Sequence, residues 1–324
     1  LKNILVTGCA GFIGWKVSEI LLDMERNVIG VDNINPYYDP RLKRWRLKTL
    51  LERPNFRFYK MDISNYAKLR TLFSDNKIDA VINLAARAGV RASVEDPWVY
   101  LDTNIKGTLN LLECMKEFKV KKFVLASTSS IYGLEEMPFK ESLKTDTPLA
   151  PYSATKKGAE VLSYAYHYLY KLDITILRYF TVYGPAGRPD MSIFRFIRNI
   201  EAGEAIPVFG DGNQSRDFTY IDDIADGTIK ALKPVGYEII NLGSDNPVRL
   251  NTVIRLIEKS LGKKAKRKRL PRHPADIKAT WAHIKKARRL LGWTPRTTIE
   301  EGIKKTVAWF RENRNLMNRL NWQA

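Results

Sequence analysis

The chain has 324 residues, 44% of them hydrophobic, and 54 Lys or Arg stand against 35 Asp or Glu for a formal charge of +19. That is enough length and apolar content for one large or two modest domains with a well-buried core. Cys9 and Cys114 lie far apart with no C-x-x-C, and His167, His273 and His283 show no metal-ligand spacing, so neither a disulfide framework nor a metal site is expected.

A basic balance suits nucleic acid, a membrane surface or an anionic substrate. The densest run, Lys263 to Arg272, holds seven Lys or Arg and no acid, yet most of the excess lies elsewhere. A generally basic surface is expected rather than a dedicated nucleic-acid groove. The chain enters a strand-like run at Lys2 without a signal-type apolar segment, and no stretch approaches about 18 uninterrupted apolar residues. The expectation is a soluble, cytoplasmic protein without a membrane partner.

In chain order, short β-branched runs at 2–7, 27–32, 56–60, 79–84, 121–127 and 173–179 predict strands, and 12–24, 65–76, 98–118 and 152–171 read as helices. This alternation predicts an α/β fold: a Rossmann-type doubly wound parallel sheet covered on both faces. Two of the helices are apolar nearly all round, with Leu101, Ile105 and Leu112 in one and Val161, Tyr164, Tyr168 and Leu169 in the other. A surface helix needs only one apolar stripe, so the surplus implies another domain or another subunit, and a homodimer through 98–118 and 152–171 is expected. Burial within a large monomer is the alternative. After residue 179 frequent Gly and Pro, as in Gly184-Pro-Ala-Gly-Arg-Pro189, predict loops forming a lid or pocket. Helices at about 222–232, 250–261, 283–291 and 299–312 complete a smaller C-terminal substrate-binding domain. The expected division is one domain of 1–178 plus about 214–242, a second of about 179–213 plus 243–312, and a tail at 313–324.

Directly after the first strand come Gly8, Gly11 and Gly14, followed by a helix. In a strand-turn-helix setting such glycines let the backbone approach a pyrophosphate at the helix N-terminus. Asp32 ends the second strand 18 residues after Gly14. It can accept from both ribose hydroxyls and repels a 2′-phosphate, so NAD is favoured over NADP. Further along, Tyr152 and Lys156 stand one helical turn apart on the same face. A phenol has a free pKa of about 10, which a fixed cation lowers, and a tyrosine so tuned can take a proton from an alcohol.

Gly8-x-x-Gly11-x-x-Gly14 with Tyr152/Lys156 resembles the short-chain dehydrogenase/reductase superfamily and, by length and tail, its extended branch of nucleotide-sugar epimerases and dehydratases. The resemblance, from residue 2 to about 312, implies a cofactor site of Gly8, Gly11, Phe12, Ile13, Gly14, Asp32, Asn33, Asp62, Ile63, Leu84, Ala85, Ala86, Tyr152 and Lys156, with Asn104 supporting that wall. It also implies that Thr128, at the fifth strand's end, relays a proton from the sugar to Tyr152. Dehydratases of this branch carry Asp-Glu where Ser129-Ser130 stand, and UDP-glucuronate decarboxylases carry Glu at Ser130, so chemistry limited to reversible oxidation of C4 is expected.

Asp32-Asn-Ile-Asn-Pro-Tyr-Tyr-Asp39, Leu42-Lys-Arg-Trp-Arg-Leu47, Ala86-Arg-Ala-Gly-Val-Arg91 and the segment Tyr179 to Met191 resemble the UDP-glucuronate 4-epimerases. This implies a carboxylate clamp of Arg188 and Thr181, helped by Ser93, beside Ser129 and Ser130. It also implies a UDP site of Arg216 on the diphosphate, Val208 and Phe209 at the uracil, and Asp276 at the ribose. Ala275, His273 and His283 depart from the family pattern. A UDP-glucose/galactose 4-epimerase or a UDP-glucuronate decarboxylase is the nearest alternative, and an RNA-associated protein on the same fold is the alternative from another class.

Overall fold

The computed structural model describes residues 1–271 and 277–322. Its strands in chain order are β1 (Asn3–Thr7), β2 (Asn27–Asp32), β3 (Phe56–Lys60), β4 (Ala80–Asn83), β5 (Lys122–Thr128), β6 (Asp173–Tyr179), β7 (Thr181–Tyr183), β8 (Ala205–Phe209), β9 (Ser215–Tyr220), β10 (Tyr237–Leu242), β11 (Pro247–Arg249) and β12 (Lys266–Leu270). Seven of them form one sheet in the order β10-β6-β5-β4-β1-β2-β3, every neighbouring pair parallel. Parallel strands need helical crossovers that cover both faces, which is why β1, β4 and β5 are continuous apolar runs buried on each side.

One face carries Leu5, Val81, Phe123 and Ile174 and packs against helices Tyr66–Asp75, Gly107–Glu117 and Pro151–Tyr170. The other carries Ile4, Ile82 and Val124 and shares its core with the C-terminal half through Trp293, Ile303 and Phe310. The chain order reverses between β1 and β4, so a crevice opens at their carboxyl ends, where ligands of such sheets bind. β7, β9 and β11 make a second small sheet, and β8 with β12 a third. Four residues of the basic run, Lys266, Arg267, Lys268 and Arg269, lie exposed on β12; charge on an edge strand discourages pairing with another chain.

Three readings of the sequence are corrected. The Gly/Pro-rich region is not only loops: it holds β7, β8 and helix Ser192–Glu201, which buries Ile193, Phe194, Phe196, Ile197 and Ile200. Helix Pro40–Leu51 was not anticipated. The 98–118 helix is interrupted by a π-helical segment, Leu101–Lys106. Burial inside the protomer accounts for Leu112 and half-buries Ile105, whereas Leu101, Val161, Tyr164, Tyr168 and Leu169 are exposed, as is Trp98 beside the first segment. Among the described residues no helix is long and apolar enough to cross a membrane.

Candidate active site

The crevice is a cavity of about 400 Å³. β1 delivers the glycine turn to one end of it. Gly8 has φ +70°, and a Cβ on Gly14 would stand 2.0 Å from the Gly8 carbonyl, so neither position admits a side chain without moving the backbone. Gly11 caps helix Phe12–Asp23 with no side-chain bond, leaving the first-turn amides free of a side-chain acceptor. Asp32, at the end of β2, accepts from the Ala10 amide at 3.1 Å and the Ile34 amide at 2.8 Å, one bond per oxygen. Each oxygen retains acceptor capacity toward the cavity. Asn33 donates to Asp62 at 2.6 Å. Ile63, Leu84, Ala85 and Ala86 line the opposite wall. Asn104 ties that wall to the Tyr152 helix: it exchanges hydrogen bonds with the Arg87 backbone at 3.0 and 3.1 Å and donates to Thr155 at 3.0 Å. It lies in the π-helical segment, a distortion that such sites often carry. A backbone turn open to an anion, a carboxylate at the end of the adjacent strand and an apolar slot together fit a dinucleotide.

At the other end, Thr128, Ser129, Ser130, Tyr152, Lys156, Thr181 and Arg188 line the same cavity. Thr128 ends β5 and caps the following 3₁₀ turn, accepting from the Ser130 amide at 3.1 Å. Burial pushes the Tyr152 phenol above its ordinary value, while the Thr128 hydroxyl and the Arg188 charge pull it back. Lys156 stands one turn along the same helix. Its own pKa is pushed down to about 8 by burial, with Glu160 one turn on pulling it up. Glu160 is itself sealed in an ion pair with Arg178 at 2.8 Å and accepts from Ser127 at 2.5 Å.

Arg188 is held at its Nε and Nη2 by Asp190, at 3.0 and 2.5 Å, and stacks 5.4 Å from the Tyr37 ring. Burial opposes its charge, but Asp190 outweighs burial and the guanidinium stays protonated. A bidentate pair on that edge leaves Nη1 for a ligand.

Four predicted substrate residues lie outside this cavity's lining. Ser93 is buried and its hydroxyl donates to the Val90 carbonyl at 2.7 Å, so it braces its own loop. Val208 points into the core of β8, and the Phe209 ring lies under the Arg91 guanidinium at 4.1 Å. Arg216 donates to the carbonyls of Ser215 and Lys278 at 2.8 and 3.4 Å. Asp276 falls outside the described residues. Conversely, the cavity recruits Tyr37, Lys43, Arg87 and Asp190, which were read only as letters of motifs. Lys43 is pushed down to about 8 by burial, against Asp32, while Arg46, Arg87 and Arg188 push it further down. Such clustering of cations around an enclosed space favours anionic ligands.

A glycine turn, a carboxylate at the end of the second strand and a Thr/Tyr/Lys group at the carboxyl edge of a doubly wound sheet define an extended short-chain dehydrogenase/reductase. The chain belongs to the family described as GDP-mannose 4,6 dehydratase, whose sequence model it matches over residues 5–306. It is 63% identical to a UDP-glucuronate 4-epimerase of Thermodesulfobacterium geofontis, over 97% of each chain. Its fold superposes with a TM-score of 0.91 on UDP-glucuronic acid 4-epimerase from Bacillus cereus, solved in complex with UDP-glucuronic acid and NAD; the two are 39% identical, over 96% of this chain and 99% of that one. A UDP-glucose 4-epimerase from Thermotoga maritima, solved with UDP-glucose, gives 0.90 at 32% identity over 96% and 99%.

Proposed function

We propose that the protein is an NAD-dependent epimerase that inverts C4 of UDP-glucuronate to give UDP-galacturonate through a 4-keto intermediate. The observation that carries this reading is Arg188, half-buried on the wall of the cavity that also holds Thr128, Tyr152 and Lys156, with Thr181 in the same lining and hydroxyls rather than carboxylates at 129 and 130. Gly8, Gly11, Gly14, Asp32, Asp62 and the Leu84–Ala86 wall hold NAD, which supplies hydride exchange at C4.

Tyr152 takes the O4 proton through the Thr128 hydroxyl and returns it after the sugar has turned. Lys156 holds the nicotinamide ribose. A 4-keto uronate is a β-keto acid, and it loses carbon dioxide when its C5–C6 bond stands perpendicular to the carbonyl plane. Arg188 and Thr181 grip the carboxylate and keep that bond away from perpendicular. Without an acid at 129 or 130, the site has no group placed to eliminate water.

The dinucleotide half, 1–178 with about 214–242, holds the main sheet and β9, and the nucleotide-sugar half, about 179–213 with 243–312, holds β7, β8, β11 and β12. The protein is cytoplasmic and acts as a homodimer. Helix Pro151–Tyr170 turns Ser153, Thr155, Lys156 and Glu160 inward and leaves Val161, Tyr164, Tyr168 and Leu169 outward, and Trp98 and Leu101 are exposed on the segment that packs against it. Pairing that exposed apolar face with its copy about a two-fold axis would bury it.

Arg188→Met tests the clamp. A charge-assisted hydrogen bond contributes about 1.5–3 kcal/mol, so UDP-glucuronate binding is expected to weaken by about tenfold or more while UDP binding stays within about threefold. Equal weakening of both ligands would refute the carboxylate role.

A further inference from the structure

Arg46, on helix Pro40–Leu51, is one of the largest side chains fully sealed inside the molecule, and the chemistry above does not use it. All five of its N–H donors are engaged. Nε and Nη2 donate to the Ala186 carbonyl at 3.1 and 2.6 Å, and Nη2 also reaches the Gly187 carbonyl at 3.3 Å. Nη1 donates to the Ala10 carbonyl at 3.1 Å and to the Tyr38 hydroxyl at 2.6 Å. The guanidinium lies 5.9 Å from the Phe12 ring and 5.6 Å from the Tyr38 ring.

Ala10 belongs to the Gly8–Gly14 turn, and Ala186 and Gly187 directly precede Arg188. Among the described residues no carboxylate pairs with Arg46; its partners are three carbonyls and a phenol. A buried charge without a counter-ion is an expensive way to fill space, and an apolar side chain would serve that end better. What arginine alone supplies is a planar fork that can reach two loops at once. The loop also needs holding, because Ala186 has φ +53°, a conformation that L-residues rarely adopt.

We propose that Arg46 is a positioning residue that locks the loop bearing Arg188 to the phosphate-side turn of the dinucleotide site, and so fixes where the sugar carboxylate is held relative to C4. This rests on the reading of Arg188 as the carboxylate clamp. Arg46 touches neither the substrate nor the dinucleotide in this role. Asp190 sets the rotation of the Arg188 guanidinium from one side, and Arg46 sets the position of its backbone from the other.

The test uses the NAD-loaded protein in a Tyr152→Phe background, where binding is measured without turnover by calorimetry. Arg46→Lys keeps the charge but cannot span both loops. It is expected to weaken UDP-glucuronate binding by about tenfold while UDP binding stays within about threefold. In an Arg188→Met background the same substitution is expected to change UDP-glucuronate binding less than about twofold, because its effect passes through Arg188. With Tyr152 restored, Arg46→Lys is expected to raise the carbon dioxide released per turnover.

A general loss of structure would weaken UDP and UDP-glucuronate alike and would persist without Arg188; either result overturns the proposal. If Arg188→Met alone leaves UDP-glucuronate affinity unchanged, the clamp reading falls and this proposal with it. If Arg188→Met weakens it and Arg46→Lys does not, only the role of Arg46 falls. Should Arg46→Lys not accumulate as folded protein, Gly187→Ala reaches the same joint, since a Cβ there would lie 3.1 Å from the Gly184 carbonyl and 3.3 Å from Phe194. The same split between UDP-glucuronate and UDP is expected, and its absence overturns the proposal.

Discussion

Tyr152 sits where burial makes a phenolate costly, so the groups around it decide whether it can act as a base. Thr128 and Arg188 are those groups in this structure, and under the proposed function Arg188 has two tasks, gripping the carboxylate and favouring the phenolate. Tyr152→Phe is expected to lower turnover by about 10²–10⁴-fold, the usual size of a lost general base, with UDP-glucuronate affinity little changed; parallel kinetics and calorimetry check this. Thr128, Tyr152 and Lys156 were legible because their relation is local: a strand end and one helical turn. Asp190 and Lys43 were not. Asp190 matters through a bond to Arg188 inside one loop, and Lys43 through Arg87 and Arg188 of two other segments as well as Arg46 on its own helix, which linear spacing does not display. Ser93 misled for the opposite reason, since its hydroxyl is taken by a carbonyl three residues away.

Helix Pro40–Leu51 shows how an element can be present in the sequence and still be passed over. Its start is marked by Asp39 as N-cap and Pro40 at the first position, yet Lys and Arg fill so much of it that the apolar stripe of Leu42, Leu47 and Leu50 is obscured. Helix Ser192–Glu201 was passed over because glycines and prolines on either side dominate the local composition, although Ile193, Phe196, Ile197 and Ile200 recur with helical spacing. The β-α alternation of the first half was legible because parallel strands buried on both faces must be continuous apolar runs.

Asp39 also yields a prediction for its helix. It accepts from the Arg41 amide at 2.9 Å and from the Asn321 amide at 2.6 Å, pinning the C-terminal segment to this helix. Burial raises its pKa, but hydrogen bonds from Arg41 and Asn321 outweigh burial and bring it down to about 2 from 3.8. A carboxylate depressed on folding contributes stability that is full above its unfolded pKa and is lost as pH falls through its folded one. Asp39→Ala is expected to cost about 1–2 kcal/mol at neutral pH, from the lost cap, and the gap to wild type should close between pH 3.8 and about 2 in urea titrations.

For the molecule as a whole, the sheet brings the carboxyl ends of β1, β2, β4 and β5 to one crevice, so residues 8, 32, 84 and 128 meet there although the sequence separates them widely. Chain order alone could suggest that assembly; it could not show that Val208, Phe209 and Arg216 stand apart from the cavity. The exposed apolar face of helix Pro151–Tyr170, with Tyr168 at 64% and Leu169 at 62% exposure, predicts a dimer that Leu169→Glu converts to monomer in sedimentation equilibrium; an unchanged mass would place the interface elsewhere. The central claim is reversible chemistry at C4 of an acidic sugar nucleotide without loss of its carboxylate. Its most direct test is to incubate the NAD-loaded protein with UDP-glucuronate and follow sugar protons by NMR together with released carbon dioxide. The account predicts an equilibrium mixture of UDP-glucuronate and UDP-galacturonate with negligible carbon dioxide, whereas a pentose product with stoichiometric carbon dioxide, or no change in UDP-glucuronate while UDP-glucose is epimerised, would contradict it.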